Sequence, residues 1–143
     1  MKAAVITETG GPEVIQIVQL PEPKPGPRQV LVRVRAAAVN PIDTYVRSGT
    51  VAMSLPQPFV VGCDLAGEVV SVGEDVDRLR PGMRVWGSNQ GLLGRQGTFC
   101  EFVVVDECWL YPTPEKVTDV EAAASALVGI TACLGLVDHG RLT

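Results

Sequence analysis

Residues 39–49 read Val39-Asn-Pro-Ile-Asp-Thr-Tyr-Val-Arg-Ser-Gly49, a polar stretch between two apolar segments. It places an amide, a carboxylate, a phenol and a guanidinium within eight positions. Pro41 suits the first turn of a helix, where its missing N–H costs nothing, and Gly49 suits the end of one. Polar groups that follow a strand usually serve a site rather than a core. The stretch therefore predicts a short helix that carries a functional site.

The flanking sequence has the pattern of β-strands. Between Gln29 and Arg35, valines alternate with Leu31, Arg33 and Arg35, which is the period of a half-buried strand. Turns rich in glycine and proline separate further short apolar segments at residues 2–7, 14–20, 67–73, 84–86 and 98–105. Many short strands with such turns predict a mainly β (α+β) fold built on a partly open β-barrel, with short helices.

The end of the chain changes from strand-like to helical sequence. Residues 118–121, Thr-Asp-Val-Glu, form a capping box, and an alanine-rich run with high helix propensity follows. We expect Gly129 to interrupt this helix and residues 130–137 to resume it. The predicted organisation is a barrel over residues 1–117 and a C-terminal helical segment over residues 118–143.

Composition limits the class of protein. The chain has 143 residues, of which 46% are hydrophobic and 20% charged, as expected for one globular domain. A net charge of −4 without a basic run argues against a nucleic-acid partner. We find no signal peptide and no apolar stretch long enough to span a bilayer, so no membrane partner is expected. The four cysteines lack metal-binding spacing, which predicts reduced thiols and a cytoplasmic location.

Five motifs follow one another along the chain: VNPIDTYVRSG at 39–49, PFVVGCDLAGEVVSVG at 58–73, LRPGMRV at 79–85, GTFCEF at 97–102, and EAAA at 121–124 with GITA at 129–132. In this order they resemble the N-terminal, GroES-like catalytic domain of the medium-chain dehydrogenase/reductase superfamily. Within it, the chain is most similar to the zinc-free quinone oxidoreductases of the zeta-crystallin group. The resemblance covers essentially the whole chain.

The resemblance implies a two-domain, homodimeric enzyme that uses NADPH. The barrel would carry the substrate site, a following Rossmann domain would bind NADPH, and hydride would pass to a small quinone or enone. No Rossmann fingerprint is present here, because the glycine cluster at 91–97 lacks the Gly-x-Gly start and leads into a strand. We interpret that cluster as a hairpin connection. The 143 residues are accordingly expected to be part of a longer enzyme, and to be inactive and unable to bind NADPH by themselves.

The resemblance also implies the site residues. Asn40 stands where zinc-dependent relatives place a ligand cysteine, and Gly62-Cys63-Asp64 stands where they have Gly-His-Glu. Because the only histidine, His139, is near the C-terminus, no metal site is expected. Asn40 and Tyr45 are the predicted catalytic residues, which would stabilise charge on the substrate oxygen. Asn40, Tyr45 and Thr131 are predicted to lie around the nicotinamide. The proton would come from solvent or from Tyr45.

Several of the remaining polar and sulfur-containing residues are interpreted as structural. Asp43 and Arg47 are four residues apart and are expected to pair on the short helix. Three cysteines in apolar sequence, Cys63, Cys100 and Cys133, are predicted to be buried, and Cys108 to be more exposed.

Two other functions stay open at this stage. One is a reductase of enoyl thioesters or other alkenes on the same scaffold. The other is a non-enzymatic GroES-like assembly module, for which the loop at 91–97 would be the partner-binding element. The sequence determines neither the substrate, nor NADPH against NADH, nor the oligomeric state.

Overall fold

The computed structural model of the chain describes residues 1–142. Eight strands run over β1 Lys2–Ile6, β2 Gln16–Gln19, β3 Gln29–Ala36, β4 Phe59–Val60, β5 Leu65–Val72, β6 Arg84–Gly87, β7 Phe102–Asp106 and β8 Leu110–Pro112. Among residues 1–142, two helices are formed, α1 over Pro41–Ser48 and α2 over Asp119–Cys133, and α2 continues as wider π-helical turns over Leu134–His139. Short 3-10 turns cover Pro12–Val14 and Glu107–Trp109.

The strands form two antiparallel sheets. The smaller has the order β2-β1-β4 and the larger the order β7-β3-β5-β6-β8. An isolated bridge pairs Ala3 of the smaller sheet with Cys100, two residues before β7 of the larger sheet. Within the described residues the ladders do not close, which confirms the prediction of a mainly β, partly open barrel.

The main core lies on the inner face of the larger sheet. Val30 and Val32 of β3 are fully buried, as their alternation predicts, while Arg33 and Arg35 are exposed. Leu31 is buried as well, although the alternation places it on the opposite face of β3. The core cluster consists of Val30, Val32, Leu65, Val69, Leu79, Val85, Val103, Val105 and Leu110. Each such side chain contributes roughly 1.5–3 kcal/mol by its burial.

Helix α1 forms where the sequence predicts it. Pro41 occupies the first turn, and Gly49 ends the helix with φ of 80°, a left-handed conformation that favours glycine. Val46 fixes the helix to the barrel by packing with Ile6 and Phe59. The opposite, polar face of α1 is thereby turned away from the core.

Helix α2 begins as predicted but continues further than expected. Thr118 accepts a hydrogen bond from the amide of Glu121, which confirms the capping box. The predicted interruption at Gly129 is wrong, since α2 runs through that residue. No neighbouring atom lies within 4 Å of a side chain built at Gly129, and a glycine in an exposed helix costs only about 1 kcal/mol.

The inner side of α2 packs on the larger sheet through small residues. Ala122 and Ala123 cluster with Ala66 of β5, which brings the helix close to the strand. An ion pair of 2.7 Å between Arg84 and Asp119 fastens the first turn.

The outer side of α2 contradicts two expectations. The 21-residue helix over residues 119–139 contains an 18-residue stretch with a mean hydropathy of 1.9, and 17% of that stretch is buried. By length and composition, one helix among residues 1–142 could therefore cross a membrane. The expectation that no such stretch exists is therefore wrong. Cys133, predicted to be buried, is exposed, because its side of the helix has no cover among residues 1–142. Cys63 is buried and Cys108 is exposed, as predicted.

The glycine cluster at 91–97 is a connection, but it does not join a hairpin. The amide of Gly91 donates to the carbonyl of Gln96 and closes a tight loop. This loop leads from β6 to β7, which are not neighbours, because β7 pairs with β3. Its interpretation as a hairpin is corrected accordingly.

Candidate functional site

Two carboxylates hold Asn40 at the N-terminus of α1. Its side-chain Nδ2 donates to Oδ2 of Asp64 at 2.9 Å, and its backbone N–H donates to Oδ2 of Asp43 at 2.7 Å. Asn40 is only 5% exposed. Because an ionised carboxylate only accepts hydrogen bonds, the amide nitrogen of Asn40 must face Asp64, which assigns the orientation of the amide. Among residues 1–142, Asp64 is the only acceptor of Asn40 Nδ2, so one of its two hydrogens has no partner there.

Asp64 is a site residue that the sequence analysis did not identify. It is 1% exposed and accepts from Ser88 Oγ at 2.6 Å and from the amide of Leu127 at 3.0 Å. The available signal was a carboxylate inside the apolar run 59–66, because aspartates are rarely buried unless they are paired. The spacing of residues along the chain gave no indication of its partners.

Thr131 joins the same hydrogen-bonded group through α2. Its hydroxyl donates to the carbonyl of Leu127 at 2.8 Å, and Leu127 in turn donates to Asp64. Since the only hydrogen of this hydroxyl is occupied, Thr131 offers a ligand an acceptor rather than a donor. The structure thus links Asn40 and Thr131 through one carboxylate.

Tyr45 lies on α1, about 1.4 turns beyond Asn40. It is 48% exposed, and its hydroxyl has no hydrogen-bond partner in the described part of the chain. A phenol in this position is free to donate to a ligand. Asn40, Tyr45 and Thr131 are therefore carried by two helices that Asp64 connects, with Tyr45 the most exposed donor of the set.

The predicted pair of Asp43 and Arg47 is wrong. Arg47 donates to the carbonyl of Gly10 at 2.5 Å, and no ion pair joins it to Asp43 within residues 1–142. The Asp43 carboxylate instead accepts the backbone N–H of Asn40, because Asp43 is the third residue of helix α1 and completes its capping box. Burial, together with the neighbouring charge of Asp64, raises the pKa of Asp43 to about 6, although the hydrogen bond from the Asn40 amide opposes this rise.

Cys63 lies beside this group. Its sulfur is 3.7 Å from Ser88 Oγ, and burial raises the pKa of the thiol to about 11. A metal binds the thiolate, so this environment disfavours Cys63 as a ligand. In the described part of the chain, no three His, Cys, Asp or Glu side chains are grouped as a metal would require.

The larger cavities lie elsewhere on the molecule. One of about 500 Å³ is lined by residues such as Met1, Pro21 and Phe102, and it contains none of Asn40, Tyr45 and Thr131. Another, of about 710 Å³, follows α2 between Trp86 and Cys133. Asn40, Tyr45 and Thr131 therefore line neither of these two cavities; Tyr45 is exposed, whereas Asn40 is buried.

Comparison with known proteins places the chain in a family. A family model described as the alcohol dehydrogenase GroES-like domain matches residues 26–115. Quinone oxidoreductase of the pig, Sus scrofa, is 38% identical over 140 residues, which are 96% of this chain and 41% of that protein.

Two solved structures give the same fold. An alcohol dehydrogenase superfamily protein from Novosphingobium aromaticivorans matches with a TM-score of 0.90 and 41% identity over 100% of this chain and 43% of its own. Quinone oxidoreductase of Escherichia coli complexed with NADPH matches with a TM-score of 0.88 and 29% identity over 95% of this chain and 40% of its own. The chain spans less than half of the length of each of these proteins.

Proposed function

The chain belongs to the alcohol dehydrogenase GroES-like domain family, the N-terminal domain of medium-chain dehydrogenases and reductases, and on this premise we propose that it is the substrate-side domain of an NADPH-dependent, zinc-free quinone or enone reductase. The observation that carries the proposal is the held amide of Asn40, with one hydrogen unused and the phenol of Tyr45 on the same helix. When a quinone or enone accepts hydride, negative charge develops on its oxygen. Donors placed in advance at that oxygen lower the barrier.

NADPH, when bound, would supply the hydride, and this chain would supply one side of its nicotinamide site. The polar atoms fit that role. Thr131 can accept from the carboxamide N–H of the ring, while Asn40 and Tyr45 can donate to the substrate oxygen or to the carboxamide carbonyl. The E. coli relative was solved with NADPH, which supports the same cofactor here.

The absence of zinc is part of the proposal and rests on the chemistry of two positions. Asn40 presents an amide, which is a poor zinc ligand, and its nitrogen is bound to Asp64. The thiol of Cys63 is buried and held in its protonated form by a pKa of about 11. Charge on the substrate oxygen would then be stabilised by hydrogen bonds alone.

The apolar outer face of α2 supports a second domain beside this one. Val120, Val128 and Leu136 are exposed there, and apolar patches of this kind usually mark an interface. A membrane is a poor cover, because bonds of Asp119 to Arg84 and of Leu127 to Asp64 hold the first half of α2 against the barrel. We assign this face to contact with a nicotinamide-binding Rossmann domain, and titration calorimetry of the 143 residues with NADPH should accordingly show no tight binding.

The test of the proposed function compares substrates. The enzyme that contains this domain is assayed for NADPH oxidation with 1,4-benzoquinone and with a short enoyl thioester side by side, with and without a zinc chelator. We expect turnover of the quinone that the chelator does not change. Turnover of the thioester alone would assign the second reductase class instead, and loss of activity with the chelator would refute the zinc-free mechanism.

A further inference from the structure

Hydrogen-bond donors from three parts of the chain converge on the carboxylate of Asp64. Asn40 Nδ2 and the amide of Leu127 donate to Oδ2 at 2.9 and 3.0 Å, and Ser88 Oγ donates to Oδ1 at 2.6 Å. A fourth bond, from Thr98 Oγ1 to the Asp64 carbonyl at 2.8 Å, holds its backbone. With 1% exposure, Asp64 is screened from both solvent and ligand.

This burial is stable only because the donors compensate for it. An isolated buried carboxylate is strongly destabilising, whereas one that accepts several hydrogen bonds is tolerated. Removal of the carboxylate would leave the donors of Asn40, Ser88 and Leu127 without their acceptor.

The carboxylate also fixes a direction. The terminal torsion of an asparagine is broad, so an amide without a partner samples many orientations. Since Asp64 accepts one Nδ2 hydrogen of Asn40, it aims the second hydrogen along one line.

The same carboxylate fixes the relation between the two helices. Oδ2 accepts from Asn40 at the start of α1 and from Leu127 in α2. Leu127 is also the acceptor for the Thr131 hydroxyl. One buried oxygen therefore links Asn40 directly, and Thr131 through Leu127.

We propose that Asp64 is the positioning residue of this site: it aims the amide of Asn40 and holds α2 beside it without touching the substrate. Its effect on turnover rests on the proposed function, whereas the orientation of Asn40 is a property of this chain and can be measured without any cofactor.

The chain offers a direct spectroscopic test. It contains only two asparagines, Asn40 and Asn89, so labelling of asparagine with ¹⁵N and of aspartate with ¹³C gives two labelled side-chain amide groups, and Asn89 serves as the internal reference. In the wild-type chain we expect a scalar coupling across the hydrogen bond from Asn40 Nδ2 to the carboxylate carbon of Asp64. We also expect slow exchange of the bound Asn40 hydrogen with solvent. No coupling, together with exchange as fast as that of Asn89, would overturn the proposal without any variant.

Variants extend the test. Asp64→Ala should accelerate exchange of the Asn40 amide about 10-fold, as the loss of one hydrogen bond of about 1.4 kcal/mol requires. Asp64→Asn should restore slow exchange, because its amide oxygen can accept from Asn40 and Leu127 while its nitrogen donates to Ser88. An unchanged Asn40 signal in folded Asp64→Ala would refute the positioning role.

The matched control is Glu107→Ala. Glu107 is also a buried carboxylate, and it accepts hydrogen bonds from the amides of Asp77 and Arg78 rather than from a predicted site residue. Its removal should lower stability and leave the Asn40 signal unchanged. An equal change in the Asn40 signal would show that Asp64 acts only through general stability.

Kinetics connect the orientation to turnover. In the enzyme with NADPH and 1,4-benzoquinone, Asp64→Ala should lower kcat about 10-fold with little change in the KM for NADPH, and Asp64→Asn should recover most of kcat. If the wild type and Asp64→Ala have equal kcat values although Asn40 exchange differs between them, the orientation of Asn40 by Asp64 does not contribute to turnover. If the wild-type enzyme fails to reduce any quinone while the Asn40 measurements hold, the proposed function fails and the orientation of Asn40 by Asp64 stands.

Discussion

The barrel and the C-terminal helical segment are both rich in apolar residues, but they use them differently. In the barrel, Val30, Val32 and Leu65 are fully buried. In the helical segment over residues 119–139, Val128 and Leu136 are 56% and 54% exposed. The barrel thus buries its apolar residues within the chain, whereas the outer face of the helix does not.

This difference distinguishes the inner face of α2, which stabilises the domain, from its outer face, which does not. The inner face of α2, with its alanines and the bond from Leu127 to Asp64, belongs to the barrel. The outer face contributes little to the fold of residues 1–142, and it is the face that we propose contacts a second domain. The predicted site residues lie near the boundary between these two regions, on α1 and α2.

Truncation of one leucine in each region to alanine should give the largest difference in stability between the barrel and the helical segment. Leu65→Ala should lower the free energy of unfolding by about 2–5 kcal/mol, because it leaves a cavity in the core. Leu136→Ala, with the same change of side chain on the exposed segment, should cost less than about 0.5 kcal/mol. Urea denaturation of both variants measures this. Equal losses would contradict the division into two regions.

Thiol labelling should give the next largest contrast. At pH 8, Cys133 on the helical segment should react with a disulfide reagent about 100-fold faster than Cys63, whose burial and raised pKa of about 11 leave little thiolate. Cys108 is exposed but precedes the helical segment, and it should also react quickly. Mass spectrometry over time assigns each site. A fast Cys63 would show that the barrel opens readily around the site.

The charge of Asp43 gives a smaller effect that depends on pH. Because its pKa in the folded chain is about 6, above the ordinary 3.8, the folded state binds this proton more tightly than the unfolded state does. The stability of the wild type relative to Asp43→Asn should therefore be highest below pH 4 and fall by roughly 1–3 kcal/mol as the pH rises past 6.

Denaturation of the wild type and of Asp43→Asn at several pH values measures this fall in their stability difference. Asp138→Asn, on the exposed helical segment, is the control. A difference between wild type and Asp43→Asn that stays constant with pH would contradict the burial of this carboxyl beside Asp64.

The smallest effect on stability is expected on the outer face of α2. Val128→Lys should change the free energy of unfolding by less than about 0.5 kcal/mol, since the side chain is already exposed. It should nevertheless reduce the fluorescence of a dye that binds apolar surface, while Gln19→Lys, an equal charge change on an edge strand, should not. Unaltered dye fluorescence in Val128→Lys would place the apolar surface elsewhere.

Local signals predicted the elements that carry the site. Pro41 and Gly49 bound α1, and the Thr118–Glu121 capping box starts α2, because each acts on backbone groups a few residues away. The sequence could not give the end of α2, since Gly129 lowers helix propensity without preventing a helix. It likewise could not reveal that Cys133 faces outward.

The hydrogen-bond partners of the site residues could not be predicted from neighbouring residues in the sequence. Asn40 and Asp64 are 24 residues apart, and Asp64 and Leu127 are 63 apart, so only the folded barrel brings them together. The predicted pair of Asp43 and Arg47 failed for the same reason. Arg47 donates to the carbonyl of Gly10, 37 residues away, and Asp43 accepts the backbone N–H of Asn40 at the start of α1.

The central claim is that the amide of Asn40 stabilises the oxygen that gains charge when a quinone accepts hydride. Its most direct test is kcat for NADPH oxidation at saturating 1,4-benzoquinone, in the enzyme that contains this domain, for the wild type and Asn40→Ala. Loss of one preorganised donor should lower kcat about 100-fold while the enzyme stays folded. An unchanged kcat in Asn40→Ala would contradict the account.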